Sequence, residues 1–191
     1  MPATMDMLRS EHRNISRLLD MLDRQFVLFE KTGEPDYELL AEIVDYLRSF
    51  PDLYHHPKED LVLERLKARN PKKAAEVGDL DKEHEEVGER LNTFTRAVAK
   101  VLLGTHVSRD AFLLVAREFV DGERKHMASE ERVFFPAAMQ SLTDDDWREI
   151  DQRVGKFSDP LRSTRAIGRF ELLRRELASM QRVSGGSLGA A

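Results

Sequence analysis

No cysteine occurs among the 191 residues, which excludes disulfides, thiolate metal sites, iron–sulfur clusters and cysteine nucleophiles. Any metal must therefore be held by nitrogen and oxygen. No uninterrupted apolar run approaches the roughly 18 residues that a spanning helix needs, and the opening MPATMDMLRSEH lacks a signal-peptide core. The expectation is a cytoplasmic protein with no membrane partner. An excess of basic charge is also missing: the net charge is −5, so nothing points to nucleic acid. The short basic cluster of Lys67, Arg69, Lys72 and Lys73 straddles a loop and reads as solvated surface. No segment alternates like a strand. No Ser–His–Asp arrangement, phosphate-binding loop or nicotinamide fingerprint is evident either.

What is present is an ordinary globular composition, 41% hydrophobic and 34% charged, in a chain long enough for one well-packed domain. Apolar residues recur in steps of three and four, the period of a helix. The first helix is expected over Thr4–Glu30, on the stripe Met5, Leu8, Ile15, Leu19, Leu22, Phe26 and Phe29, and Gly33 and Pro35 end it. The second spans Asp36–Arg69, where Pro51 and Pro57 should bend it or force a local bulge. The third runs from Pro71 to Leu103 and closes at Gly104. The fourth covers Ser108–Ser141, with Phe112, Val115, Phe119, Val133 and Ala137 inward and a kink at Pro136. Short connections between long amphipathic helices predict an all-α, antiparallel up-down-up-down four-helix bundle over residues 1–142. Additional short C-terminal helices follow over 143–183, one starting at the Thr143 cap and one over Arg165–Val183 after the Asp159-Pro160 turn, packed on the bundle. Residues 184–191 should form a disordered tail.

The functional signal lies where these stripes are interrupted. His12 takes a core position between Leu8 and Ile15, and His84 does the same between Leu80 and Val87. His55 with Glu59, and His126 with Glu130, are each spaced four apart, so both members of a pair face the core. A lone buried histidine is usually a hydrogen-bonded core residue, but an unpaired buried carboxylate is strongly unfavourable. Register favours a common site. From His12 to its helix end is about 18 residues, and from the next start to His55 about 19; the matching distances around His84 and His126 are equally close. In an up-down bundle all four histidines then sit at one level. Four imidazoles and two carboxylates are too many for one tetrahedral zinc. Each glutamate can bridge two ions, and this donor set suits iron or manganese.

At these residues the sequence resembles the hemerythrin-like, HHE cation-binding family. The matching elements are His12 in SEHRNI, the run HHPKED from His55, His84 in DKEHEEV, and HMASEERVFFPAA from His126. The stretch through DDDWREID and DPL looks like the C-terminal extension of one bacterial branch. The resemblance implies two iron ions in a non-haem di-iron centre, oxo- or hydroxo-bridged. It makes His12, His55, His84 and His126 terminal ligands, and Glu59 and Glu130 bridges. Oxygen-carrying members have a histidine four residues after the one in helix three, where this chain has Gly88, and their last carboxylate is an aspartate five residues after its histidine, whereas Glu130 is four after His126. Reversible oxygen carriage does not follow from the match. Gly88 and Gly122 either leave space near the metals or permit close helix packing. His56 could be an extra ligand, a group behind the ligands, or surface; Tyr54 could hydrogen bond behind the centre or be core; His106 reads as surface.

Three function classes remain. One is a binding protein that senses oxygen or nitric oxide or handles iron. Another is a di-iron enzyme: a peroxidase, an oxidase, or a nitric-oxide-handling protein of the iron-centre repair kind. The repair reading is weakened because such members often carry a cysteine-bearing N-terminal segment, and about eleven residues precede His12 here. The third is an interaction bundle with a purely structural metal. Four imidazoles, four carboxylate oxygens and an oxo or hydroxo bridge fill about ten of the twelve positions of two six-coordinate irons, which favours the first class and leaves small ligands such as oxygen or nitric oxide as the expected partners.

Overall fold

The computed structural model describes residues 1–105, 107–155 and 170–185, and every regular element among them is helical. Helix α1, Ala3–Thr32, ends at Gly33, whose φ of 79° is open to glycine and lets its N–H close on the Phe29 carbonyl. Pro2 offers α1 no side-chain cap. Asp151 does so from far along the chain, accepting from the Thr4 N–H at 2.9 Å and from Thr4 Oγ1 at 2.6 Å.

The bend expected at Pro51 and Pro57 takes the form of a π-helical turn. Helix α2, Tyr37–Phe50, passes through that turn, Pro51–His55, into α3, His56–Arg69. Pro57 has no N–H, and the residue before it, His56, donates to the Pro51 carbonyl five residues back. One helix was expected over Pro71–Leu103, and the chain forms two. Helix α4, Pro71–Val77, stops at Gly78 (φ 87°, ψ −154°), and Asp79 caps a new start by accepting from the Lys82 N–H at 3.1 Å, giving α5, Leu80–Leu102. Helix α6, Arg109–Ser129, runs through a second π turn, Glu130–Phe134, into α7, Phe135–Ser141. Phe135, directly before Pro136, donates to the Glu130 carbonyl. The extra residue advances the helical phase. Phe134 and Phe135 are therefore buried, and Val133, expected inward, is half-buried.

Helix α1 packs against α2, α3 and α6, while α5 packs against α2 and α6. Helix α8, Asp144–Val154, lies on α1 and α3, and α9, Glu171–Gly185, on α1 and α2. Glu42 of α2 accepts from the Leu173 N–H at the start of α9. Arg165–Arg169, the Asp159-Pro160 turn, His106 and residues 186–191 lie outside the described residues. Ser184 and Gly185, expected in the tail, continue α9. No described helix is long and apolar enough to cross a membrane.

The core has two apolar clusters. One gathers Ile15, Leu22, Phe26, Phe50, Phe94, Phe112 and Phe119, and receives Phe170 and Leu173 from the C-terminal segment. The other gathers Met5, Leu8, Val62, Leu66, Leu80, Phe134, Phe135 and Trp147. At about 1.5–3 kcal/mol per fully buried large apolar side chain, the clusters hold the helices from both ends and can tolerate a polar layer between them.

Helix α8 is fastened by charge as well. Asp146 closes a capping box with Thr143 and accepts two bonds from Arg69 at 2.9 and 3.0 Å. Against the pull of burial, Arg69 and Thr143 hold the Asp146 carboxyl down at about 2. A carboxyl lowered on folding stabilises above its unfolded value, about 4, and loses that contribution as pH falls through about 2. Asp146→Ala should therefore lower stability at neutral pH by about 1–3 kcal/mol, with variant and parent converging near pH 2. Urea unfolding across pH checks this; an equal loss at both pH values would mean the carboxylate charge is not involved.

Candidate metal centre

Between the two apolar clusters lies a polar layer, and each long helical segment contributes to it at the gap in its own stripe. In α1, Met5 and Leu8 belong to one cluster and Ile15 to the other, with Glu11 and His12 between them. Phe50 and Val62 bracket His55, Lys58 and Glu59; Leu80 and Leu91 bracket His84; Val120 and Phe134 bracket His126 and Glu130. All six residues singled out from the sequence meet here. Glu59 and Glu130 are fully buried, and His12, His55 and His126 nearly so.

The two carboxylates divide the layer in the same way. Glu59 Oε1 lies 3.4 Å from His55 Nε2 and 4.0 Å from His12 Nε2, while its Oε2 lies 3.4 Å from His84 Nε2. Glu130 Oε2 lies 3.3 Å from His12 Nε2, and its Oε1 lies 3.2 Å from His126 Nε2 and 3.5 Å from His84 Nε2. Each glutamate thus offers one oxygen to the His12–His55 pair and the other to the His84–His126 pair, Glu59 reaching His12, His55 and His84 and Glu130 reaching His12, His84 and His126. The two π turns bear on this geometry, since His55 ends one and Glu130 begins the other.

These contacts are close enough for ion pairing but lack hydrogen-bond alignment. Both oxygens of Glu59, both of Glu130 and Nε2 of His84 are buried without a hydrogen-bond partner. Such atoms cost about 1–3 kcal/mol each when nothing satisfies them. His12 and His55 add two ε nitrogens only 3.2 Å apart. A cation on either side of the glutamates would satisfy this donor set, and the ligand atoms of His12, His55, Glu59 and Glu130 already lie within 4.8 Å of one another. The residues fit a metal.

The far edges of the imidazoles are also engaged. Nδ1 of His55 faces Glu11 Oε2 at 2.9 Å, Nδ1 of His12 faces Glu131 at 3.1 Å, and Nδ1 of His126 faces Glu83 at 3.2 Å. A carboxylate behind each of these three rings holds the tautomer that leaves Nε2 free for a metal. The family comparison agrees: residues 3–138 match the model described as the hemerythrin HHE cation binding domain. The chain belongs to the hemerythrin HHE cation-binding family. No match was found among curated proteins or solved structures.

In this HHE domain the charges of the layer are strongly coupled. Burial works against a charged His55, but Glu59 and Glu11 raise its pKa to about 10. His84 behaves alike, with Glu130 and Glu59 overcoming burial to hold it at about 9. Burial opposes ionisation of Glu59, yet His55, His84 and His12 keep it well below the ordinary carboxylate range. His56 goes the other way, lowered to about 3 by burial and by His84.

His56 is not surface. Its ring stacks on His84 with centroids 3.7 Å apart and planes 11° from parallel, and its Nδ1 lies 3.3 Å from Asp52. Tyr54 stacks on Phe50 and packs on the first apolar cluster. Gly88 has open space where a side chain would begin, and it lines a cavity of about 50 Å³ with His56, His84, Phe119 and Glu123. Gly122 is different. A Cβ there would lie 2.9 Å from the Arg90 side chain, so this glycine makes room for Arg90 rather than for a ligand.

Sequence reading missed Glu11, Lys58, Glu83, Glu131 and Glu123. Glu11 and Lys58 are buried and joined at 2.5 Å. A signal for Glu11 existed, because Leu8, Glu11, Ile15 and Leu18 form a second inward row on α1. Glu131 and Glu83 are partly exposed and carry none. Glu123 sits one turn before His126, and burial pushes its carboxyl up, against His126 and with Glu130.

Proposed function

We propose that this protein is a non-haem di-iron protein that binds or senses a small diatomic ligand, oxygen or nitric oxide, or handles iron. His12 and His55 would hold one ion and His84 and His126 the other, with Glu59 and Glu130 shared between them in an antiparallel four-helix bundle. The observation that carries this reading is the division of both carboxylates: each directs one oxygen to each histidine pair. A single-metal site would leave the oxygens on one side buried without partners. Iron bound there would supply a redox-active centre able to take up oxygen or nitric oxide. The chain's own part is to hold the imidazoles of His55, His12 and His126 in one tautomer through Glu11, Glu131 and Glu83. It also keeps a water-sized space beside His84 and Gly88, a feature that a purely structural metal would not need.

A di-iron enzyme, whether a peroxidase, an oxidase or a nitric-oxide-handling repair protein, is the second reading. Glu123 favours it, because burial pushes its carboxyl up and it lines the cavity, where it could exchange a proton with a ligand. Metal analysis of protein purified under iron-replete conditions should give about two ions per chain, mostly iron. Optical spectra under nitrogen, air, nitric oxide and azide should differ from one another. Spectra unmoved by every added ligand would support a structural metal, and one tightly bound zinc per chain would end the di-iron reading.

A further inference from the structure

We propose that Lys58 sets the reduction potential of the iron beside His12 and His55, acting through Glu11 on the His55 ring. The proposal rests on the di-iron reading above and goes beyond it, since neither Lys58 nor Glu11 would touch the metal.

The carboxylates behind the imidazoles differ in their surroundings. Glu131, on His12, and Glu83, on His126, are 50% and 37% exposed, so water screens their charges. Glu11, on His55, is 1% exposed, and bulk water does not reach it. A carboxylate at Nδ1 draws on the ring proton and makes the imidazole a stronger donor. Unscreened, Glu11 would do this strongly, and a stronger donor favours ferric over ferrous iron. Its second oxygen, however, accepts from Lys58 Nζ at 2.5 Å, while the first faces His55 Nδ1 at 2.9 Å. One carboxylate is thus divided between an ammonium and an imidazole. The ammonium offsets the charge of Glu11, as water does for Glu131 and Glu83.

Stability does not account for a lysine at this position. Its side chain is fully buried, and withdrawing two charges from water commonly costs more than their attraction returns. A pair of packed apolar side chains often holds two helices as well or better. Control of the charge at His55 does account for it, and the fold provides the means. Helix α1 packs on α3, Glu11 adjoins His12 on α1, and Lys58 adjoins Glu59 on α3. His55 and Glu59 are turned to the polar layer. Lys58, beside them, instead meets α1 at Glu11 and lies over the Phe50 ring. Lys58 is therefore a positioning residue: it fixes the state of Glu11, and Glu11 fixes the donor strength of His55.

The test uses the whole chain loaded with ⁵⁷Fe, read by iron content, spectroelectrochemical midpoint potentials and Mössbauer spectra. Lys58→Met keeps the length of the side chain and removes its charge, so the potential of one iron should fall. The preference for ferric over ferrous iron there should rise on the order of tenfold, which is about 59 mV for one electron. Combining Lys58→Met with Glu11→Gln removes both charges and keeps an acceptor for His55 Nδ1. That double variant should return the potential close to the parent value, with the Mössbauer signal of the same iron moving and returning. A double variant that stays shifted like the single one would assign the effect to packing and overturn the proposal. So would Lys58→Met with both irons bound and both potentials unmoved, and the di-iron centre would still stand. Should Lys58→Met fail to fold, Lys58→Gln decides by the same potentials, because it removes the charge while still offering Glu11 a donor. A parent that binds no iron pair would overturn both readings.

Discussion

Glu59→Ala and Glu130→Ala should each lose at least one metal ion while keeping the helical content of the parent. The loss follows from the shared carboxylates. Each glutamate faces both histidine pairs, so either substitution removes an oxygen from both sides of the layer. Glu11, Glu83 and Glu131 cannot replace it, because they lie behind the rings, on Nδ1. Retention of the fold follows from the two apolar clusters, which hold the same helices above and below the layer and supply most of their stability. The two effects separate cleanly. Parent protein should gain stability on adding iron, about 2.7 kcal/mol when free metal reaches a hundred times its dissociation constant. The variants should gain much less. Metal content by mass spectrometry, circular dichroism and thermal unfolding with and without iron measure all of this. Full occupancy in both variants would mean that these glutamates do not hold metal.

How much of this was legible in the sequence depends on what kind of signal each residue left. His12, His55, His84 and His126 are apolar-stripe interruptions, and near-equal distances from the turns placed them at one level; the structure brings them to a single layer. The break between α4 and α5 was missed because Val77 and Leu80 keep a helical spacing across it. What ends α4 is local: Gly78 at φ 87° and the Asp79 side chain on the Lys82 N–H. Prolines announced a distortion at Pro57 and Pro136 but not its form. A π turn changes the phase by one residue, which is why Phe134 and Phe135, rather than Val133, reach the core. Gly122 shows the limit of reading glycines as vacancies, since only the structure reveals Arg90 across it. Carboxylates behind the histidines were hardest to see. In a chain that is 34% charged, Glu83 and Glu131 resemble any solvated glutamate, and what distinguishes them is the ring each one meets.

Glu11 is the exception among those carboxylates, and Glu11→Ala should be among the most damaging single substitutions in the chain. Its Oε2 meets His55 Nδ1 at 2.9 Å and its Oε1 accepts from Lys58 Nζ at 2.5 Å. Lys58 is fully buried and Glu11 nearly so. The ammonium also lies over the Phe50 ring, 5.9 Å from its centroid, too weak an attraction to replace a carboxylate. Removing one partner of a buried ion pair leaves the other charge uncompensated, at a cost of about 3–5 kcal/mol. Replacing both partners by neutral groups of similar shape is far milder. Urea unfolding of metal-free protein should therefore show a loss of about 3–5 kcal/mol for Glu11→Ala, with Glu11→Gln combined with Lys58→Met recovering much of it. Working without metal keeps the measurement free of binding energy. In the iron-loaded protein, the same Glu11→Ala change frees His55 to rotate or change tautomer, so affinity for the ion beside His12 and His55 should fall about 10–100-fold. The ion beside His84 and His126 should be affected less, because Glu83 still engages His126. A stability loss below about 1 kcal/mol in metal-free Glu11→Ala would mean that Lys58 finds water or another acceptor, and that Glu11 serves the histidine alone.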